Sequence, residues 1–253
     1  FSFSINDETG CLIEGFDTPP SMMMGHARPY YGPRIAELGF AKVKDTIAYS
    51  MDRSMKLPRA MDAMFNRALA TDDIKVRPLD KKNLERDLRI IIDIFNDAWS
   101  QNYGFVPFTV EEFNDVGKLM TLLLPADYVQ IAEVDGEPAA FIVAMPNINE
   151  VTAGLRGRLL PLGWLRLLWG VKVRHPRSAR VPLMGVRRKF QQSRLGPGLA
   201  FMVIDAVRKG LCARGVREVE LSWILEDNAG MRSIIEAIGG EVYKRYRIYE
   251  KAL

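Results

Sequence analysis

From residue 74 onward the apolar positions change period in a regular alternation. Ile74–Arg77 reads as a short strand. Leu84, Leu88, Ile91, Ile92, Phe95 and Trp99 recur at three and four residues and predict an amphipathic helix. Thr109 and Glu112 form a capping-box pattern, so a second helix is expected from Val110 to just before Pro125. Tyr128–Val134 and Pro138–Met145 flank Asp135-Gly136, a strong hairpin signal. Val181–Val186 is the next expected strand. Leu199, Met202, Val203, Ala206 and Val207 share one helical face, closed by Gly210–Gly215. Strand Glu218–Ile224, short helix Met231–Ile238 and strand Glu241–Glu250 complete the order. Such an order predicts a mixed α/β sheet around a strand–helix–strand unit.

The first 73 residues differ. Residues 1–50 are rich in Gly, Pro, Met and Tyr, and 51–73 carry Met and Phe at helical spacing, as in a connecting helix. Phe1-Ser2-Phe3-Ser4 has neither an initiator Met nor a signal-peptide pattern and reads as the interior of a longer protein. The most apolar stretch, Leu159–Val171, contains Arg166 and is too short to cross a membrane. Two cysteines and two histidines give no disulfide framework and no metal knuckle, so the expectation is a reduced, cytoplasmic protein with no metal.

Charge sharpens the picture. The net charge is +4, yet residues 151–204 hold nine Arg, two Lys and no Asp or Glu, leaving −7 elsewhere. A field of that sign favours an anionic partner: a phosphorylated cofactor, an acidic carrier protein, a membrane surface or nucleic acid. The stretch lacks any nucleic-acid reading motif, so nucleic acid is not expected.

Within this basic stretch, Arg194-Leu195-Gly196-Pro197-Gly198-Leu199-Ala200 lies between an expected strand and a helix. Glycines allow close backbone approach, Pro suits the first helical turn, and a helix start with Arg187, Arg188, Lys189 and Arg194 nearby suits a pyrophosphate. An ordinary glycine-containing turn is the alternative.

These residues resemble the pyrophosphate-binding turn of the GNAT (GCN5-related N-acetyltransferase) superfamily, Gln/Arg-x-x-Gly-x-Gly/Ala. Ser193 stands at the family's Gln/Arg position, Arg194 follows one place later, and the loop from Val186 is longer than is typical. Trp223–Asn228 followed by Ile235–Gly240 is similar to the family's Asn–helix–Gly-Phe segment, with Gly240 in place of Phe. The resemblance covers residues 74–253. It implies a mixed, mostly antiparallel sheet with a splayed strand 4/strand 5 pair flanked by helices. It also implies an acyltransferase that moves an acyl group from acetyl-CoA or a longer acyl-CoA to an amine.

In that layout the backbone of Met184, Gly185 and Val186 receives the pantetheine arm. Arg187, Arg188, Arg194 to Ala200 and Asn228 serve the rest of the cofactor. Glu226 and Glu220 are the base candidates. Ile235 replaces the family's acid Tyr, leaving Tyr249, Tyr243 and Tyr246 as substitutes. A module that binds acyl-CoA without catalysis is the competing expectation.

Residues 27–50 match the chain's end at an offset of 200: Ile35, Gly39, Lys44 and Tyr49 against Ile235, Gly239, Lys244 and Tyr249. They are therefore expected to close an upstream GNAT-like half of a tandem protein, with Phe16–Pro20 and Met22–Met24 packing on the second domain or on missing sequence. Leu155–Val173, rich in Leu, Trp and Arg, is expected to lie on a membrane surface, to wall a tunnel for a long acyl chain, or to cover the core. The functional versions imply a lipid amine substrate, as in ceramide-synthase-like GNAT enzymes, and an acyl carrier protein is a further candidate donor.

Overall fold

The computed structural model describes residues 9–52, 74–113, 117, 124–193 and 195–252. Its strands are β1 (Cys11–Glu14), β2 (Ala41–Asp52), β3 (Ile74–Pro78), β4 (Val129–Val134), β5 (Glu137–Pro146), β6 (Ser178–Val186), β7 (Glu218–Leu225) and β8 (Glu241–Glu250). The helices are α1 (Tyr31–Glu37), α2 (Leu84–Trp99), α3 (Asn149–Thr152), α4 (Gly163–Trp169), α5 (Arg188–Gln191), α6 (Leu195–Ala213) and α7 (Ala229–Ala237).

All eight strands form one sheet in the order β1-β8-β2-β7-β6-β5-β4-β3. Neighbours are antiparallel except β6 and β7, the pair joined by the α6 crossover, which run parallel. The β4–β5 hairpin turns on Asp135 and Gly136 with φ of 51° and 78°, a conformation that Asp tolerates and Gly adopts freely.

Alternate side chains along the strands feed two cores. Ile142, Val181, Leu221, Tyr49 and Ile47 meet α6 and α7 on one face. Phe141, Ile131, Val129 and Met145 meet Ile91, Ile94 and Phe95 of α2 on the other. Asp87 is fully buried at the foot of α2 and accepts from Arg77 Nη1 at 2.7 Å and from the Asp80 amide at 2.8 Å, tying α2 to β3. The reciprocal capping box forms as expected, with Glu112 N–H donating to Thr109 Oγ1 and Thr109 N–H to Glu112 Oε2. Residues 110–113 and 117 are helical; the other residues expected in that helix fall outside the described set.

The amino-terminal region enters the same sheet. β2 lies between β7 and β8, and β1 forms the edge beyond β8. Met51 and Asp52, expected at the start of a connecting helix, finish β2, while 53–73 are outside the described residues. The repeat at offset 200 has a structural counterpart: α1–Gly39–β2 and α7–Gly239–β8 are both helix–turn–strand units. Gly39 and Gly239 both have positive φ, 82° and 89°. Residues 15–24 cover the α2 side of the sheet. Met24 joins the small core of Leu12, Ala48 and Tyr246, and buried Lys244 donates to the Gly15 and Thr18 carbonyls.

Candidate active site

β6 and β7 pair from Ser178↔Glu218 to Val181↔Leu221 and then separate. Beyond that point β6 keeps its pairing with β5 through Leu183, Met184, Gly185 and Val186, while β7 continues as far as Leu225. Pro182, which has no N–H to give a ladder, is the first residue past the last pair. The strands therefore open a wedge between Pro182–Val186 and Ser222–Leu225.

An apolar cavity of about 300 Å³ lies against this wedge on the α2 side. Its walls include Leu88, Ile91 and Trp99 of α2, Phe108 and Phe113, Val143 and Met145 of β5, and Leu183 of β6. Arg180, Trp223 and Met23 line it as well, and Glu112 of the capping box is its other charged residue. Residues 155–173, with a tunnel wall as one of their three expected roles, contribute nothing to this lining. The tunnel-like space is built by α2 and the capping-box segment instead. Phe105 and Phe108 pack on Phe95, and Phe113 packs on Phe108, a convergence that only the tertiary structure sets.

Arg180 belongs to a buried network. Arg180, with 2% of its surface exposed, donates through Nε to Ser222 Oγ at 3.0 Å and through Nη1 to the Met22 carbonyl at 2.9 Å. Ser222 Oγ donates to Glu220 Oε1 at 2.5 Å, and the Tyr243 hydroxyl donates to Glu220 Oε2 in a very short contact. Burial, then the adjacent Glu220 carboxylate, pushes the Tyr243 hydroxyl far above its ordinary range, so it keeps its proton. The Trp223 indole Nε1 is buried with no partner among the described residues.

The other acid–base candidates lie elsewhere. Glu226 pairs with Lys42 at 2.8 Å and accepts from the Asp45 amide at 3.0 Å. The Lys42 bond holds its carboxyl below the usual range, a poor state for a base at neutral pH. The Tyr249 hydroxyl sits over Gly32 of α1, where a Cβ would lie 3.2 Å from it. Neither residue lines the cavity.

The glycine turn forms the first turn of α6, but its parts differ in use. Gly196 is pressed against its own chain: a Cβ there would fall 2.6 Å from the Phe190 carbonyl oxygen. Close α5–α6 packing therefore requires a glycine here. Among the described residues a Cβ at Gly198 meets nothing within 4 Å, so that side of the turn has room. Ser193, at the family's Gln/Arg position, caps the helix by accepting from the Leu195 N–H at 3.1 Å. α5 is the extra length in the loop after Val186.

The basic residues are unequal too. Arg187 is committed to Asp93 and the Pro138 carbonyl, and Lys189 to Glu137. Arg188 is exposed, and its backbone N–H donates to Asp97. Arg194 lies outside the described residues. On the wedge, the Met184 carbonyl takes a bond from Trp99 Nε1 at 2.9 Å and Val186 one from Gln191 at 2.8 Å. Asn228 caps α7 by accepting from the Met231 N–H. Among the described residues there is no cluster of potential metal ligands, and no helix is long and apolar enough to cross a membrane.

Comparison with known proteins gives both sequence and fold relatives. The chain is 46% identical over 258 residues to Protein YghO of Escherichia coli K12, and 43% identical over 253 residues to a bacterial ceramide synthase of Caulobacter vibrioides. Each alignment covers the whole chain, which spans 65% and 66% of those relatives' lengths. No family model matches. Among solved structures, a GCN5-related N-acetyltransferase from Sphaerobacter thermophilus superposes with a TM-score of 0.56 at 15% identity, covering 89% of this chain and 56% of that one. A GCN5-related glucosamine N-acetyltransferase region of a fungal multi-domain β-N-acetylglucosaminidase gives 0.53 at 14%, covering 86% of this chain and 22% of that one. With its wedge between parallel β6 and β7 and the glycine turn opening α6, the chain has the fold of the GCN5-related N-acetyltransferases.

Proposed function

We propose that this chain carries an N-acyltransferase that moves a long acyl group from acyl-CoA to the amine of a lipid. The observation behind the reading is the wedge at Val181/Leu221 opening onto an apolar cavity of about 300 Å³. A two-carbon acetyl group has no use for such a space, whereas an alkyl chain gains about 0.8 kcal/mol per methylene buried. The name of the Caulobacter relative, a ceramide synthase, is compatible with a long-chain amino alcohol as acceptor.

In this reading the Gly198 side of the turn and the exposed Arg188 face the cofactor's phosphates, and Met184–Val186 flank the pantetheine arm. The Trp223 indole N–H donates to the acyl carbonyl. Glu220, held by Tyr243, takes the proton of the attacking amine through Ser222, and the same path returns that proton to the leaving thiolate. Residues 1–50 belong to a tandem arrangement in which an upstream half lends the α1–β2 unit to this sheet, between β7 and β8.

The test is amide formation and thiol release from palmitoyl-CoA with a long-chain amino alcohol, for the chain and for Glu220→Gln. Loss of the base should slow the reaction by about 10²–10⁴-fold. Undiminished turnover in the variant would remove Glu220 from the mechanism. A chain that binds acyl-CoA without forming amide would be the non-catalytic module.

A further inference from the structure

Half of the large exposed apolar side chains among the described residues are concentrated in one short segment. Eight of sixteen lie in 159–173: Leu159, Leu160, Leu162, Trp164, Leu165, Leu168, Trp169 and Val173, with Leu160 80% and Leu162 66% exposed. The segment is held in place, not frayed. Gly170 and Val171 are buried, and a Cβ on Gly170 would fall 2.5 Å from the Val151 side chain. Trp164 Nε1 donates to the Pro161 carbonyl at 3.0 Å, and His175 Nδ1 lies 3.0 Å from the Val171 carbonyl. An apolar surface of this extent on a fixed platform marks a contact site.

The flanking charge identifies the occupant. Arg156, Arg158, Arg166, Lys172, Arg174 and Arg177 are all exposed around the apolar row, and no acidic residue occurs from 151 to 204. Leu and Trp facing outward with a rim of one positive sign is the composition of a surface that sinks into the acyl boundary while its cations meet anionic headgroups. A second copy of this face would set like charges against each other.

We propose that α4 and the turn after it, Leu159–Arg174, dock the chain on the surface of an anionic phospholipid bilayer. The proposal stands on its own surface and does not require the acyl-transfer reading.

The experiment is flotation of the purified chain with vesicles of phosphatidylcholine alone or rich in phosphatidylglycerol. It compares the chain with Leu160→Asp/Leu162→Asp and with Arg156→Ala/Arg158→Ala. The chain should float with phosphatidylglycerol vesicles, less at high salt, and little with phosphatidylcholine. Each removed arginine should weaken binding about five-fold, and the aspartate pair should abolish it. Unchanged melting temperatures and an unchanged thermal shift with coenzyme A would separate this result from the acyl-transfer proposal. No flotation, or flotation unaffected by either pair, overturns the inference. So does a dimer in light scattering that the aspartate pair dissolves without any vesicle binding.

Discussion

The size of the cavity makes a quantitative prediction for Val143→Phe. A cavity of 150 Å³ accommodates benzene, so about 300 Å³ takes on the order of a dozen carbons. Acyl-CoA affinity should therefore rise about four-fold per methylene, from about 0.8 kcal/mol each, and level off near a dozen carbons. Val143 lies in the wall opposite Leu183, and Phe would add about four carbons to it. The plateau should then fall to about eight carbons, and a twelve-carbon acyl-CoA should bind about two-hundred-fold more weakly, the equivalent of about 3 kcal/mol. The assay is isothermal titration of a series from acetyl- to palmitoyl-CoA, with melting temperature as the check on folding. A folded variant whose chain-length profile matches the parent would refute the assignment of this cavity to the acyl chain.

Gly198→Glu should remove the thermal shift that coenzyme A produces, because it puts a carboxylate on the Gly198 side of the turn. Its own melting temperature checks folding, because Gly198 is buried even though a Cβ there meets nothing among the described residues; retained binding in a folded variant would move the phosphates elsewhere. Asp87 sits in a buried pair: burial opposes its charge, but Arg77 and the Asp80 amide outweigh that and hold its carboxyl below the ordinary value near 4. A depressed folded value stabilises above the unfolded one and is lost as pH falls through the folded one. Asp87→Asn should thus cost about 3 kcal/mol at pH 7 and less at pH 3, read from urea midpoints. An equal cost at both pH values would contradict the pairing.

Much of the fold was legible because its elements obey single periods. α2 shows three- and four-residue spacing, the hairpin carries Asp135-Gly136, and Thr109 and Glu112 announce their own cap. The splay was legible only through the family resemblance, since strand separation depends on which pairs stop at Val181, not on residue type. β1 and the place of β2 between β7 and β8 are long-range pairings that no local pattern encodes. The site divides in the same way. The turn's location could be read from sequence, but Gly196 and Gly198 look alike there and differ only in what a Cβ would touch. Arg187 reads as a phosphate ligand in sequence, but Asp93, on a helix far away in the chain, pairs with it. Glu220 and Glu226 are equivalent as letters. Burial beside Arg180 and Tyr243 separates the first from a Lys42 salt bridge at the second.

The central claim, long-chain acyl transfer to a lipid amine, is tested most directly by competition. The chain is given equimolar acetyl-CoA and palmitoyl-CoA with a long-chain amino alcohol, and the amides are weighed by mass spectrometry. The account predicts that the palmitoyl amide dominates. A dominant acetyl amide, or neither amide, would contradict it.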